Sequence, residues 1–100
     1  MVHAYRGDAG ELRLEGEVDL ANDAVLAAIM SVAAAKAERQ LVIDCSALGF
    51  MSVSAWRTAV NATAPLRERG GRVLLSGVSP LEHHILNTTG FGEAFDEVSG

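Results

Sequence analysis

The sequence predicts an α/β fold with a mixed, mostly parallel central sheet of four to five strands and three to four helices. Residues 11–18 alternate apolar and polar side chains with a period of two, the pattern of a strand with one wet face. Leu41-Val42-Ile43 and Val73-Leu74-Leu75 are short continuous apolar runs, as expected of parallel strands covered on both faces. Helical patterns separate and follow these runs, so the order is β-β-α-β-α-β-α with room for a last strand. Such alternation implies right-handed crossovers and parallel pairing.

The elements follow in order. Residues 2–6 and 11–18 form a hairpin around Gly7-Asp8-Ala9-Gly10, where Asp flanked by Gly suits a turn. Asp19-Leu20-Ala21-Asn22-Asp23 is rich in helix-capping residues. An Ala-rich helix then runs to about Ala37, with Val25, Ala28, Ile29 and Val32 as its apolar face and Lys36, Glu38 and Arg39 at its exposed end. Asp44 closes the third strand, and Cys45 to Met51 reads as a loop. A second helix begins near Ser52 or Val53 with Val53, Trp56, Val60 and Ala64 inward, and Pro65 predicts a kink or break in it. Gly70-Gly71 ends it. Ser79, Pro80 and Glu82 mark the third helix with a cap, an N1 proline and a capping box. Leu81, Ile85 and Leu86 face inward, Gly90 terminates, and Phe95 to Val98 fits a final short strand.

The 100 residues suit one domain, and 49% apolar content supports a packed core. A net charge of -5 argues against nucleic acid as the main partner, which demands a basic surface. Arg67, Arg69 and Arg72 read as a solvated helix end. The single cysteine, Cys45, excludes an internal disulfide and reads as a buried structural thiol in a reducing compartment. Neither a signal peptide nor an apolar run of about 20 residues is present, so a cytoplasmic protein with no membrane partner is expected. Monomer or weak dimer is the expected state.

No catalytic constellation emerges. His83 and His84 point about 100° apart on a helix, so they do not share a metal with Glu82 or Asp44 as an i, i+4 pair does. There is no Gly-x-Ser-x-Gly elbow to make Ser54 a hydrolytic nucleophile and no phosphate-binding glycine loop. Neither enzyme activity, a cofactor nor a metal is expected.

Four segments resemble the STAS family, named for sulphate transporters and anti-sigma-factor antagonists. Leu14-Glu15-Gly16-Glu17-Val18-Asp19 is similar to its second-strand signature, and Val42-Ile43-Asp44-Cys45-Ser46 to its strand-ending Asp-Leu-Ser. Gly70 to Pro80 resembles the segment between its last two helices, and Thr89-Gly90-Phe91 the end of the third helix. The resemblance implies the STAS fold over residues 1–100. It also implies an antagonist that binds an anti-sigma factor, itself a serine kinase, and so regulates sigma-factor-dependent transcription by partner switching. A kinase would switch it off and a serine phosphatase would restore it. The family's Asp-Ser-Ser-Gly, whose second serine is phosphorylated, aligns with Ser52-Val53-Ser54-Ala55. Ser54 thus holds the acceptor position, while Ser52 replaces the aspartate, Ala55 the glycine, and Trp56 a leucine. Asp19, Met51, Ser52, Val53, Ser54, Ala55 and Trp56 make up the implied partner-binding surface. Met51 and Trp56 are interface anchors if exposed, whereas Phe50 reads as core. The alternative is a STAS module without phosphorylation, acting as a scaffold or small-ligand sensor. On residues alone, Ser52 is equally a helix cap and Ser54 an ordinary first-turn serine.

Overall fold

The structure is a computed structural model that describes residues 2–6 and 10–97. Strands β1 (Val2–Arg6) and β2 (Glu11–Val18) pair antiparallel, as the hairpin reading requires. Gly7, Asp8 and Ala9 of the predicted turn lie outside the described residues. A one-turn 3-10 helix (Leu20–Asn22) leads into α1 (Asp23–Lys36). β3 (Gln40–Met51), α2 (Val53–Glu68), β4 (Arg72–Ser76) and α3 (Pro80–Thr89) follow. A second 3-10 turn (Phe91–Ala94) precedes β5 (Asp96–Glu97). Val98, expected in this strand, lies outside the described residues.

One sheet holds all five strands in the order β1-β2-β3-β4-β5, with β2 to β5 mutually parallel. Because the order never reverses, right-handed crossovers put every helix on the same face. The buried side chains agree: Leu12, Leu14, Leu41, Ile43, Cys45, Val73 and Leu75 share the covered face. The other face is open to solvent. That corrects the expectation of strands covered on both sides, since Val42 and Leu74 are only half-buried.

β3 also corrects the expected loop after Asp44, because the strand continues to Met51. It pairs with β2 through two register shifts, after Arg13 and after Gly16, so β3 carries extra residues opposite β2. At the first bulge Asp44 Oδ1 accepts the Ser46 N–H at 2.9 Å. The side chain thus supplies a partner that the displaced ladder does not, which is why this segment carries turn-like residues. The Ser46 hydroxyl and N–H, with Arg13 nearby, hold the Asp44 carboxyl below its ordinary pKa.

Both long helices bury a stripe about one residue away from the expected one. In α1 the core takes Leu26, Met30, Ala33 and Ala34, with Ala37 just beyond, while Val25, Ala28 and Val32 are exposed. α1 is apolar nearly all round, so periodicity did not set its phase, and the larger Leu26 and Met30 fill the space against the sheet. In α2 the buried residues are Ala55, Trp56, Ala59, Thr63 and Leu66, with Val53 exposed and Val60 and Ala64 half-buried. α2 passes Pro65 without a break. Proline removes one donor, which would have met the Asn61 carbonyl, and both residues lie on the solvent side.

α3 begins as predicted, with Ser79 Oγ accepting the Glu82 N–H at 3.2 Å and Pro80 in the first turn. It ends at Gly90 with φ 81°, a conformation that favours glycine. Leu86 is buried and Ile85 half-buried, but Leu81 is exposed, contrary to expectation.

Of the three arginines read as a solvated helix end, Arg67 and Arg69 bond to helix carbonyls, while Arg72 opens β4 and pairs with β5. Arg67 donates to Thr63 Oγ1 and the Val60 carbonyl, Arg69 to the Ala34 and Ala37 carbonyls, and Arg72 to Asp96. Cys45 is buried, and its burial, with Asp44 and Glu82 nearby, raises the thiol pKa to about 12. A neutral, enclosed thiol is a poor nucleophile. Alkylation of native protein at pH 8 is therefore expected to be at least ten-fold slower than of urea-unfolded protein. Equal rates, read by intact mass, would contradict this burial.

Candidate functional site

Three parallel strands deliver their carboxyl ends to one edge of the sheet, where sites of α/β proteins collect. Val18 ends β2 and pairs with Met51, which ends β3, and the Ser52 N–H donates to the Val18 carbonyl at 2.9 Å. This ladder brings Asp19 and Ser52 side by side. Asp19 caps the first 3-10 turn: its Oδ1 accepts the Ala21 N–H at 3.0 Å, and the Asp19 N–H donates to Asn22 Oδ1 at 3.3 Å. No bond links Asp19 to Ser52 or Ser54 among the described residues.

Ser52 is the N-cap of α2, with extended backbone and Oγ accepting the Ala55 N–H at 3.2 Å. Its Oγ lies 3.1 Å from Ser54 Oγ, so the two hydroxyls bond to each other. Ser54 stands in the first turn, half-buried. The first N–H groups of a helix lack intrahelical partners and carry partial positive charge. A hydroxyl placed there is on ground that accepts an anion, and no acidic residue lies in the first turn of α2.

The predicted surface set divides. Asp19 and Val53 are exposed and Ser52 and Ser54 half-buried, all at this edge. Met51, Ala55 and Trp56 are buried, so Trp56 keeps its expected inward place and none of the three presents its side chain on the implied partner surface. Their side chains belong to the core for a physical reason. Trp56, only 1% exposed, packs edge-on against Phe95 with ring centroids 6.0 Å apart, filling the space beneath α3. The Ala55 methyl points inward, so replacing a family glycine by alanine adds no bulk to the exposed side of the turn.

Phe50 moves the other way: read as core, it is 39% exposed. With Val53, Leu20 and Leu81 it makes a set of exposed large apolar side chains at or beside the carboxyl ends of β2, β3 and β4. Leu20 was not singled out from sequence and Leu81 was placed inward, because apolar residues in first turns resemble core positions. Exposed apolar groups gathered at one edge mark a surface suited to a protein partner.

Glu82 is the residue that sequence reasoning misplaced most. A capping box assigns its carboxylate to the start of its own helix. It is instead buried, 4% exposed, and spans to the site. Met51 N–H donates to Oε1 and Trp56 Nε1–H to Oε2, each at 2.7 Å. Short charge-assisted bonds of this kind are about twice as strong as neutral ones. Glu82 thus ties α3 to the residue just before Ser52 and to the first turn of α2, positioning the serine pair. A buried indole needs an acceptor, which was the available signal.

His83 and His84 are exposed, and His83 meets Glu97 at 2.6 Å. No group of three or more His, Cys, Asp or Glu converges among the described residues. No helix among them is long and apolar enough to cross a membrane.

Comparison with known proteins agrees with this architecture. No curated protein matches the sequence. Solved structures share the fold. An anti-sigma factor antagonist from Mycobacterium paratuberculosis is 19% identical at TM-score 0.79, covering 100% of this chain and 86% of that one. The antagonist SpoIIAA in its unphosphorylated form is 15% identical at TM-score 0.72, covering 100% and 89%. The Bacillus cell fate determinant SpoIIAA in its phosphorylated form is 17% identical at TM-score 0.69, covering 99% and 92%. The family model described as "Mlab, STAS domain" matches residues 2–97, nearly all of the sheet and helices described above. With its SpoIIAA-like α/β architecture and the serine turn at the edge of the sheet, the chain belongs to the STAS family.

Proposed function

We propose that the protein is an anti-sigma-factor antagonist. Unmodified, it binds an anti-sigma factor that is also a serine kinase; phosphorylated on Ser54, it releases that partner until a serine phosphatase restores it. Sigma-factor-dependent transcription follows the switch. The observation that carries this reading is the Ser54 hydroxyl in the first turn of α2, beside exposed Leu20, Phe50, Val53 and Leu81. Asp19, Ser52, Val53 and Ser54 supply the polar and backbone contacts of the interface, with Phe50, Leu20 and Leu81 as its apolar part. Met51, Ala55 and Trp56 act beneath it by holding the turn.

The chemistry is simple. A phosphoryl group adds about -1.5 to -2 charges. On this chain the first-turn N–H groups of α2 receive them, so the fold tolerates the modification. An apolar partner face gains no such donors, and burying the charge against it costs several kcal/mol. The binding function is thereby lost without unfolding. No catalytic role is assigned to the chain itself.

A second reading has its own support. Ser54 bonds to the Ser52 hydroxyl, with no carboxylate in the aspartate's place. A scaffold or small-ligand module without phosphorylation fits that neutral pair. The discriminating experiment is incubation with the purified cognate kinase and labelled ATP. The first reading predicts one phosphate per chain, lost in Ser54→Ala while binding of the kinase is kept. Equal labelling of Ser54→Ala would remove Ser54 as acceptor, and no labelling of either chain would favour the scaffold.

A further inference from the structure

One cation stands beside the serine turn. Of the eight Lys and Arg residues, Arg57 alone lies in the opening turns of a helix; the others occupy β1, β2 or β4, or lie at or beyond helix ends. Arg57 is exposed and has no carboxylate partner: the ion pairs among the described residues use Arg13, Arg72 and His83. Its guanidinium lies instead over the Phe91 ring, 5.9 Å from the centroid. An aromatic face offers no lone pair to the five N–H donors of that group. Ser54 and Arg57 both lie away from the buried stripe of Ala55, Trp56 and Ala59. Residues three apart are neighbours on a helix surface, with Cβ atoms about 5–6 Å apart. Helical side chains also lean toward the N-terminus, so a long one at position 57 covers the turn that holds position 54.

We propose that Arg57 is the positioning residue for the phosphoryl group on Ser54: modification draws its guanidinium from Phe91 into a bidentate pair with the phosphate. The inference rests on Ser54 being the acceptor, as proposed above. Charge decides between the two placements of the side chain. A ring attracts a cation only through its quadrupole. A phosphoserine carries about -1.5 to -2 charges, and its oxygens match the guanidinium fork. Nothing in the first turn of α2 competes for Arg57, since no acidic residue lies there. Ser52 Oγ, 3.1 Å from Ser54 Oγ, is a neutral neighbour where a carboxylate would repel the phosphate. The pair forms within one helix, so it costs no association of separate molecules. Arg57 then holds the phosphate along α2 and steadies the modified form of the chain.

The test places phosphoserine at position 54 during synthesis of the full chain, so no kinase is needed. Phosphorus NMR then follows the second ionisation of the phosphate, which falls at about pH 6 without a partner. Pairing with a cation favours the dianion. The wild-type sequence is therefore expected to titrate at least about 0.3 pH unit below Arg57→Gln, a gap that narrows in high salt. Arg57→Lys keeps the charge without the fork and is expected to fall between them. Asp19, Glu82, His83, His84 and Glu93, the other titratable groups on the elements around the turn, are common to these chains, so the difference reports position 57. Position 57 is exposed, and circular dichroism of each variant confirms its fold. Equal titration of the phosphate in the wild-type and Arg57→Gln chains would overturn the proposal while leaving Ser54 as acceptor untouched. Failure of the reading above shows elsewhere, as a kinase that labels another residue.

Discussion

Glu82→Ala is expected to lower stability by about 2–4 kcal/mol, because it leaves two buried donors, Met51 N–H and Trp56 Nε1–H, without acceptors. In a domain of 100 residues that corresponds to a fall in Tm of about 10–20 °C. The chain has one tryptophan, so urea unfolding followed by its fluorescence reads the environment of Glu82 directly. Glu82→Gln is not a conservative rescue. A carboxylate accepts at both oxygens, whereas an amide accepts at one and turns an NH2 toward the other donor. It should therefore fall between wild type and Glu82→Ala. A loss below about 0.5 kcal/mol in Glu82→Ala would show that water or a shifted neighbour satisfies both donors, and the positioning role would fail.

Ser54→Asp is expected to weaken binding of the anti-sigma partner by ten-fold or more, at least about 1.4 kcal/mol, with stability nearly unchanged. The two halves of this result have one origin. A negative charge in the first turn suits the dipole of α2, so the fold is not harmed. The same charge set among Leu20, Phe50 and Val53 opposes an apolar partner face. Aspartate carries less charge than a phosphoserine, so the modified protein should bind more weakly still. Titration calorimetry with the purified partner measures the affinity, and thermal unfolding measures the fold. Affinity unchanged by the substitution would place the start of α2 outside the interface.

Particular residues show how far the sequence could be read. The element order, the strand bounds of β1, β2 and β4, and the start of α3 were legible because turn and cap chemistry is local. Asp19, Ser52 and Ser79 announce helix starts through hydrogen bonds within three residues. The resemblance to the STAS family also put Ser54 in the first turn of the second helix, where it stands in α2. What was not legible is what depends on phase and distance. α1 offered two apolar stripes, and only packing against the sheet chose Leu26 and Met30. β3 looked like a loop after Asp44, because a bulge borrows the side-chain bonds of a turn. Met51 and Trp56 resemble interface anchors in composition, but the Glu82 carboxylate, 26 residues beyond Trp56, draws the indole inside. Phe50 and Leu81 were read as core for the mirror reason. One-dimensional apolar content does not say which face of a bulged strand or a first turn is left without a neighbour.

The central claim is that Ser54 controls partner binding, and capture from native lysate tests it most directly. The unphosphorylated chain serves as bait, with and without added ATP, and mass spectrometry reads both the captured proteins and the phosphate on the bait. The account predicts a kinase-type anti-sigma factor held without ATP and released with ATP as Ser54 becomes phosphorylated. Retention of that partner on bait fully phosphorylated at Ser54 would contradict it.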